Sequence, residues 1–488
     1  MLQRHLRLWD FRHASPPPYY WVPLMLLAVA NWLPGLAASY AIDETGGYYV
    51  ASAGPLEAVR RSIHHTGQSP AYGVVLSIFL WPLESPYWEA ASRIPSLLGL
   101  AGATWMIYRL GERFVARGAG LAAALIFAAI PGVASVGMQA RQYGLLWFTA
   151  TAYLWVFWTW FTENRPRDLW VSRLLLALCI SFHYLAVLLV GVELLTVLLA
   201  RRFTARYAAA TALAAAGAML PVLFVLPGKL AEAGLWRYSH LMRHNYWNLD
   251  GQLPLRLTVG LALTWLAARL LWPRVSRPLR ATAAWRIFLL SWAVLMPLAL
   301  ALLSLWSETF QVRYVLLAAP AAALLAADAL ARLAPSARAL ALLVPLVAVL
   351  VPGRLLAPGG EVDFRSASET IAGLSLYENS PLLVPSWFVE AHVTGADALY
   401  RDYPGLYGHL FAYPVPNAVH PLPAWYSDRH LEPALAQLLD GTLKGEKRLL
   451  VALTPWTRAF HRPFTERGWR VRLHTVQWNL VVAECVRD

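Results

Sequence analysis

The sequence predicts a polytopic α-helical membrane protein with a small α/β domain at its C-terminal end. Three observations carry that expectation. Of 488 residues, 58% are hydrophobic and only 14% charged, whereas a soluble domain usually carries about 25% charged residues. Apolar runs near the ~20 residues that cross a bilayer recur along the chain. Arginines cluster at alternate ends of those runs, as cytoplasmic loops require. The net charge of +13 then reflects membrane topology rather than nucleic acid binding.

The segment before Pro18 is basic (Arg4, Arg7, Arg12) and is placed in the cytoplasm. The long apolar run after it lacks a clear cleavage site and reads as a retained anchor. The first span is Trp21–Ser39, and the first outer loop covers 39–93. Residues 47–64 show helical amphipathic spacing and read as a helix in the interface plane. The apolar stretch up to Trp81-Pro82 is too short to cross and reads as interfacial or re-entrant. Further spans follow at Ile94–Leu110, Leu121–Val136, Leu145–Phe161, Leu169–Phe182, Leu185–Ala200, Ala208–Leu226, Leu257–Trp272, Ile287–Leu305, Arg313–Leu333 and Ala339–Leu356. The total is about eleven. Residues 227–255 read as a polar, aromatic-rich outer loop. Every cytoplasmic loop then holds arginines, such as Arg109, Arg113 and Arg117, or Arg201, Arg202 and Arg206. That agreement requires the 71–82 segment not to cross.

Residues 1–357 thus form the membrane part and 358–488 a soluble outer domain. In the latter, Leu382–Pro385, Arg448–Leu453, Val471–Thr475 and Leu480–Val486 read as strands, and 429–439 and 456–467 as helices. It shows no phosphate loop, metal-ligand spacing or nucleophile elbow. Cys179 and Cys485 belong to different regions and imply no disulfide framework.

With this topology several polar groups share the outer face. Asp43-Glu44 follows the first span. Gln68-Ser69-Pro70-Ala71-Tyr72 and Gln139-Ala140-Arg141-Gln142-Tyr143 lie in outer loops, and Arg313-Tyr314 opens a late span. Lys229, Arg237 and His240 add cationic and imidazole groups. An acidic pair alone reads as a solvated helix end. A carboxylate beside several cations is what transfer from an anionic donor needs: a base for the acceptor hydroxyl and guanidiniums for a phosphate leaving group. Arg93 heads a span, His183-Tyr184 ends one, and Glu193 lies within one without an evident partner, so it reads as a buried packing residue.

In order and placement these motifs resemble the GT-C glycosyltransferases of the protein O-mannosyltransferase and aminoarabinose transferase family, in its bacterial form. Asp43-Glu44 matches the acidic pair after that family's first span. Gln68-Ser69-Pro70-Ala71-Tyr72 stands where bacterial members have a His-Pro-Pro-like element. Arg93-Ile94-Pro95-Ser96 matches an Arg-x-x-Ser element, and Gln139-Ala140-Arg141-Gln142-Tyr143 a Glu-Ala-Arg-x-Tyr-like one. The resemblance covers roughly residues 20–330 and departs at Gln68-Ser69 and Gln139. It implies an inverting transfer from a polyprenyl-phosphate-linked sugar to an extracytoplasmic acceptor: lipid A, another glycolipid, a polysaccharide or a protein. The implied place is the bacterial inner membrane, with the site on the periplasmic side. Asp43 would be the general base and Glu44 would orient substrate or donor. Arg141, Tyr143, Arg313 and Lys229 would hold the donor phosphate. Tyr72, Gln68, Gln139, Arg93, His183, Tyr184, Arg237 and His240 would contact substrate. No cofactor follows from the motifs, and a divalent cation stays open. The competing reading is a flippase of a lipid-linked sugar. Internal repeats and broken mid-membrane helices would mark it, and neither is evident.

Overall fold

The computed structural model describes residues 32–64, 69–80, 88–236, 282–303, 312–332 and 363–487, with short breaks inside these ranges. Most of the expected first span, the spans at 257–272 and 339–356, and Gln68, Arg237 and His240 lie outside the described residues.

The chain after the first span differs from the expected single amphipathic helix. It forms two helices, α1 (Ile42–Ala51) and α2 (Pro55–His64). Helix α1 starts one residue before the acidic pair, so Asp43 and Glu44 sit in its first turn. Negative charge there complements the helix dipole, and Glu44 caps the end by accepting from the Ala41 amide at 2.7 Å. Helix α3 (Pro70–Leu80) has 11 residues, about 17 Å of helix against a ~30 Å hydrocarbon core.

Helices α4 (Trp88–Leu110), α5 (Ala119–Ala129), α6 (Pro131–Gly137) and α7 (Tyr143–Glu163) follow. Pro131 splits the expected span 121–136, since it cannot donate to the helix ladder. Helices α4 and α7 run parallel. Ser96 meets Arg141 at one end, and Arg113 meets Glu163 at the other. Their close approach depends on Gly144, where a Cβ would lie 2.0 Å from the Ser96 carbonyl oxygen. Then come α8 (Pro166–Phe182), a 3₁₀ turn Tyr184–Val187, α9 (Leu188–Leu199) and α10 (Ala205–Trp236). Helix α10 extends past the expected boundary at Leu226, so Lys229 lies on a helix rather than in a loop. The later helices are α11 (Ala283–Leu290), α12 (Met296–Leu303), α13 (Val312–Val315) and α14 (Ala319–Leu330).

Among the described residues three stretches are long and apolar enough to cross a membrane: Ala205–Leu223, Ala283–Leu303 and Arg313–Leu330. Leu174, Leu213, Leu220, Leu298 and Leu302 are each more than half exposed. Such outward apolar side chains suit contact with lipid. Glu193 does have a partner. Arg173 Nη2 donates to Glu193 Oε1 at 2.5 Å and Tyr153 OH donates to Oε2, while Arg173 Nη1 reaches Thr211 at 2.6 Å. Four helices, α7 to α10, meet in this buried network. Sequence spacing could not show the pairing because Arg173 and Glu193 lie on different helices.

The C-terminal part carries α15 (Phe364–Leu374), β1 (Leu382–Ser386), α16 (Gly408–Ala412), β2 (Val419–Ala424), α17 (Asp428–Asp440), β3 (Arg448–Thr454), α18 (Arg458–Thr465), β4 (Arg470–Gln477) and β5 (Leu480–Val486). The sheet order is β2-β1-β3-β5-β4. Strand β1 pairs parallel with β2 and β3, and β5 pairs antiparallel with β3 and β4. Strand β2 was not expected because Pro421 and Pro423 hide it. It lies at the sheet edge, where proline is tolerated. Side chains alternate between two layers, as strand geometry requires. Leu382, Val384, Leu450 and Ala452 join one core that also holds Leu76, Trp147 and Leu324. Leu383, Leu449 and Val451 face α17 and α18 through Leu431, Leu435 and Phe460.

Candidate active site

The site is built where α1, the turn between α6 and α7, the turn after α8 and the head of α13 converge. Asp43 projects from the first turn of α1. Its Oδ2 accepts from Nη1 of both Arg141 and Arg313. Arg141 comes from the tight turn 138–142, which is held by the Arg141 amide donating to the Gln139 carbonyl at 2.6 Å. Its carbonyl accepts from Ser96 Oγ at 2.6 Å, and Ser96 Oγ also bonds Tyr72 OH at 3.1 Å. Tyr72 therefore supports Arg141 from behind, and at 2% exposure it does not reach the surface.

The Arg141 side chain is 5% exposed, against 29% for Asp43 and 24% for Arg313. Arg141 and Tyr143 thus form a floor beneath a carboxylate that remains accessible. The Arg141 guanidinium lies 5.4 Å from the Tyr143 ring, and Arg313 lies 5.3 Å from the Tyr314 ring. His183 closes the side, 5.6 Å from Tyr143 and 5.0 Å from Tyr314 between ring centres. Its Nδ1 accepts from the Leu185 amide at 3.3 Å, which places the ring proton on Nε2.

Burial alone would raise the Asp43 carboxyl, but the Arg141 and Arg313 guanidiniums overcome it and hold it below the usual carboxylate range. Burial, then the same two cations, pushes His183 down to about 3. The ring is therefore neutral at ordinary pH. At this site three buried donors have no partner among the described residues: Nε of Arg141, Nε of Arg313 and the Tyr143 hydroxyl. Buried polar atoms of this kind call for an explanation. Guanidinium and phenol donors around one point suit a phosphate or carboxylate group.

Glu44 is arranged differently from Asp43. Its carboxylate takes a bidentate pair from Arg93, Nε to Oε1 at 2.9 Å and Nη2 to Oε2 at 2.7 Å. Oε1 also accepts from the Ala140 amide at 2.6 Å. Arg93 spends its remaining donors on the carbonyls of Gly35, Leu36, Ala38 and Ser39. Glu44 and Arg93 are 1% and 3% exposed. They tie the chain entering α1, α1 itself, α4 and the Arg141 turn into one unit.

Of the expected site residues, Asp43, Arg141, Tyr143, Arg313 and His183 come together. Tyr72, Glu44 and Arg93 stand behind them. Gln139 is half-buried in the Arg141 turn, and Tyr184 opens the 3₁₀ turn after His183. Sequence reasoning did not assign a role to Tyr314 or to Gln142, whose buried Oε1 has no partner among the described residues. Their signal was membership of the Arg313-Tyr314 pair and of the 139–143 element. Among the described residues no three His, Cys, Asp or Glu side chains gather to hold a metal ion. The groups that bond Asp43 include the guanidiniums of Arg141 and Arg313.

No protein-family model and no curated protein sequence matches the chain. Solved structures do. ArnT from Cupriavidus metallidurans bound to undecaprenyl phosphate superposes with a TM-score of 0.55 at 12% identity, over 96% of this chain and 98% of that one. The Archaeoglobus fulgidus oligosaccharyltransferase AglB, in complex with an inhibitory peptide and a dolichol-phosphate, gives 0.51 at 11% identity, over 89% of this chain and 69% of that one. The same organism's oligosaccharyltransferase in complex with Zn and sulfate gives 0.50 at 12% identity, over 95% and 72%. In its fold the chain is thus similar to solved structures of GT-C membrane glycosyltransferases.

Proposed function

We propose that this protein is a membrane glycosyltransferase that moves a sugar from a polyprenyl-phosphate carrier to an acceptor hydroxyl outside the cytoplasm. The observation that carries the reading is the Asp43 carboxylate bridged by Arg141 and Arg313, with spare guanidinium and phenol donors beside it. Fold likeness to an enzyme bound to undecaprenyl phosphate supplies the donor class.

Asp43 accepts the proton of the acceptor hydroxyl as that oxygen bonds to the anomeric carbon. The bond from that carbon to the phosphate oxygen breaks on the opposite face, which inverts the configuration. The departing polyprenyl phosphate keeps the electron pair, and Arg141, Arg313 and Tyr143 stabilise its charge. His183, being neutral, adds no competing positive charge and can donate from Nε2. In this reading charge neutralisation falls to the arginines. The acceptor is a glycan, lipid or protein hydroxyl of a bacterial envelope, and the protein sits in the inner membrane with the site facing the periplasm.

The flippase reading asks for polar groups at mid-membrane. The Asp43 cluster instead lies at helix ends. The deciding experiment gives purified protein a panel of radiolabelled undecaprenyl-phosphate hexoses and pentoses, with envelope extract as acceptor. Label should transfer, and Asp43→Asn should lower kcat by about 10²- to 10⁴-fold while remaining monodisperse. Undiminished transfer by Asp43→Asn would remove the proposed base.

A further inference from the structure

Helix α1 carries Asp43 but is poorly suited to hold itself rigid. It has ten residues with Gly46-Gly47 at its centre, and glycine is a weak helix former because it gives up the most backbone freedom. The Glu44–Arg93 pair holds its first turn. Further contacts come from residues more than 300 positions away. At Gly408, the first residue of α16, a Cβ would lie 2.8 Å from the Thr45 carbonyl oxygen and 3.2 Å from the Gly46 amide nitrogen. The backbones of α1 and α16 therefore touch. Phe411 packs on Tyr49, with ring centres 4.8 Å apart.

The chain entering α1 is gripped as well. Tyr413 OH accepts from the Tyr40 amide at 2.8 Å and donates to Glu89 Oε1 at 2.9 Å. Arg365 Nε reaches the same Glu89 oxygen at 3.1 Å, and the Arg365 amide donates to Ser39 Oγ at 3.3 Å. Glu89 is 7% exposed. A carboxylate this buried needs its partners, so the junction has one preferred geometry.

We infer that the C-terminal segment sets the aim of Asp43: Arg365, Gly408 and Tyr413 are positioning residues that clamp α1 against Glu89 and the Arg141 turn. This rests on the proposed role of Asp43. The clamp meets α4 at Glu89, one turn before Arg93, and reaches α1 itself at Thr45 and Gly46 through Gly408, so it adds to the hold of the Glu44–Arg93 pair. A base displaced by about 1 Å loses on the order of 10²-fold in rate, while the donor phosphate site, built on Arg141, Arg313 and Tyr143, keeps its geometry.

The test uses purified full-length protein carrying Gly408→Ala, Arg365→Ala or Arg365→Lys. Amide hydrogen exchange of the peptide spanning 42–51 is read beside that of β3, β5 and α7. Kinetics are read with the undecaprenyl-phosphate sugar active in the panel above. Gly408→Ala and Arg365→Ala should speed exchange in 42–51 at least threefold, with the other peptides unchanged. They should lower kcat at least tenfold with the donor KM within twofold. Arg365→Lys, which keeps a charged donor for Glu89, should recover most of the loss. Should Gly408→Ala fail to fold, the Arg365 pair decides. Wild-type exchange in 42–51, faster exchange there with unchanged kcat, or uniformly faster exchange across the protein would each overturn the inference. The exchange readout needs no turnover, so a failed clamp is told apart from a failed assignment of Asp43.

Discussion

Asp43 and Glu44 are adjacent carboxylates with opposite fates. Consecutive residues on a helix point about 100° apart, so one faces the arginines of an accessible site and the other enters the core. The cations around Asp43 set its pH behaviour. A carboxyl held below its ordinary range is ionised above that range, and what depends on its charge is lost only as pH falls through the lowered value. Asp43-dependent transfer should therefore stay flat from about pH 5 to 8 on its acid side. Stability should behave otherwise. His183 is pushed down to about 3 in the fold, so the unfolded chain binds its proton first. The stabilisation is complete above the ordinary histidine value and declines below about pH 6.5, by up to about 1.4 kcal/mol per pH unit. His409, buried and also pushed down to about 3, acts in the same direction. Melting curves from pH 7.5 to 4.5 should show that decline, and His183→Gln should reduce its slope. At Arg141, lysine keeps the charge but lacks the planar fork. Arg141→Lys should raise the donor KM about tenfold and Arg141→Ala more, measured by titration of the lipid-linked sugar.

At the scale of elements, the molecule relies on contacts that local sequence hides. Helices α7 to α10 meet at Arg173, Glu193, Tyr153 and Thr211 in apolar surroundings. Removing one partner of a buried pair leaves the other charge uncompensated, at a cost of about 3–5 kcal/mol. Glu193→Leu alone should sharply lower thermal stability in detergent. The double variant Arg173→Met with Glu193→Leu should regain much of it, because neither charge is then buried. A melting series on the two variants checks this. Strand β2 makes the same point for the sheet: its prolines argue against a strand locally, and its edge position permits them.

At the scale of the whole molecule, the C-terminal part is not an independent appendage. Phe364, Leu382 and Leu450 belong to the same continuous core as Leu76 and Trp147. A chain truncated after residue 357 should expose that apolar surface, and size-exclusion chromatography should show aggregation rather than a monodisperse peak. Local features made much of the architecture legible. Helices α4, α7 and α8 follow apolar runs, the four expected strands lie within β1, β3, β4 and β5, and the arginine-rich helix ends pair with one another, as at Arg113–Glu163. The start of α1 was not legible, because Glu44 capping its own helix outweighs the apolar periodicity read from residue 47 onward.

By itself the sequence determined the helical character, the apolar runs and the grouping of Asp43, Arg141, Tyr143 and Arg313 at one end. Hydrophobicity and charge are properties of local segments, and helix ends alternate. Only the tertiary structure decided that Asp43 bridges two guanidiniums while Glu44 is spent on Arg93, that Glu193 has a partner, and that Gly408 touches α1. Those choices depend on which faces of distant helices meet, and packing alone sets that.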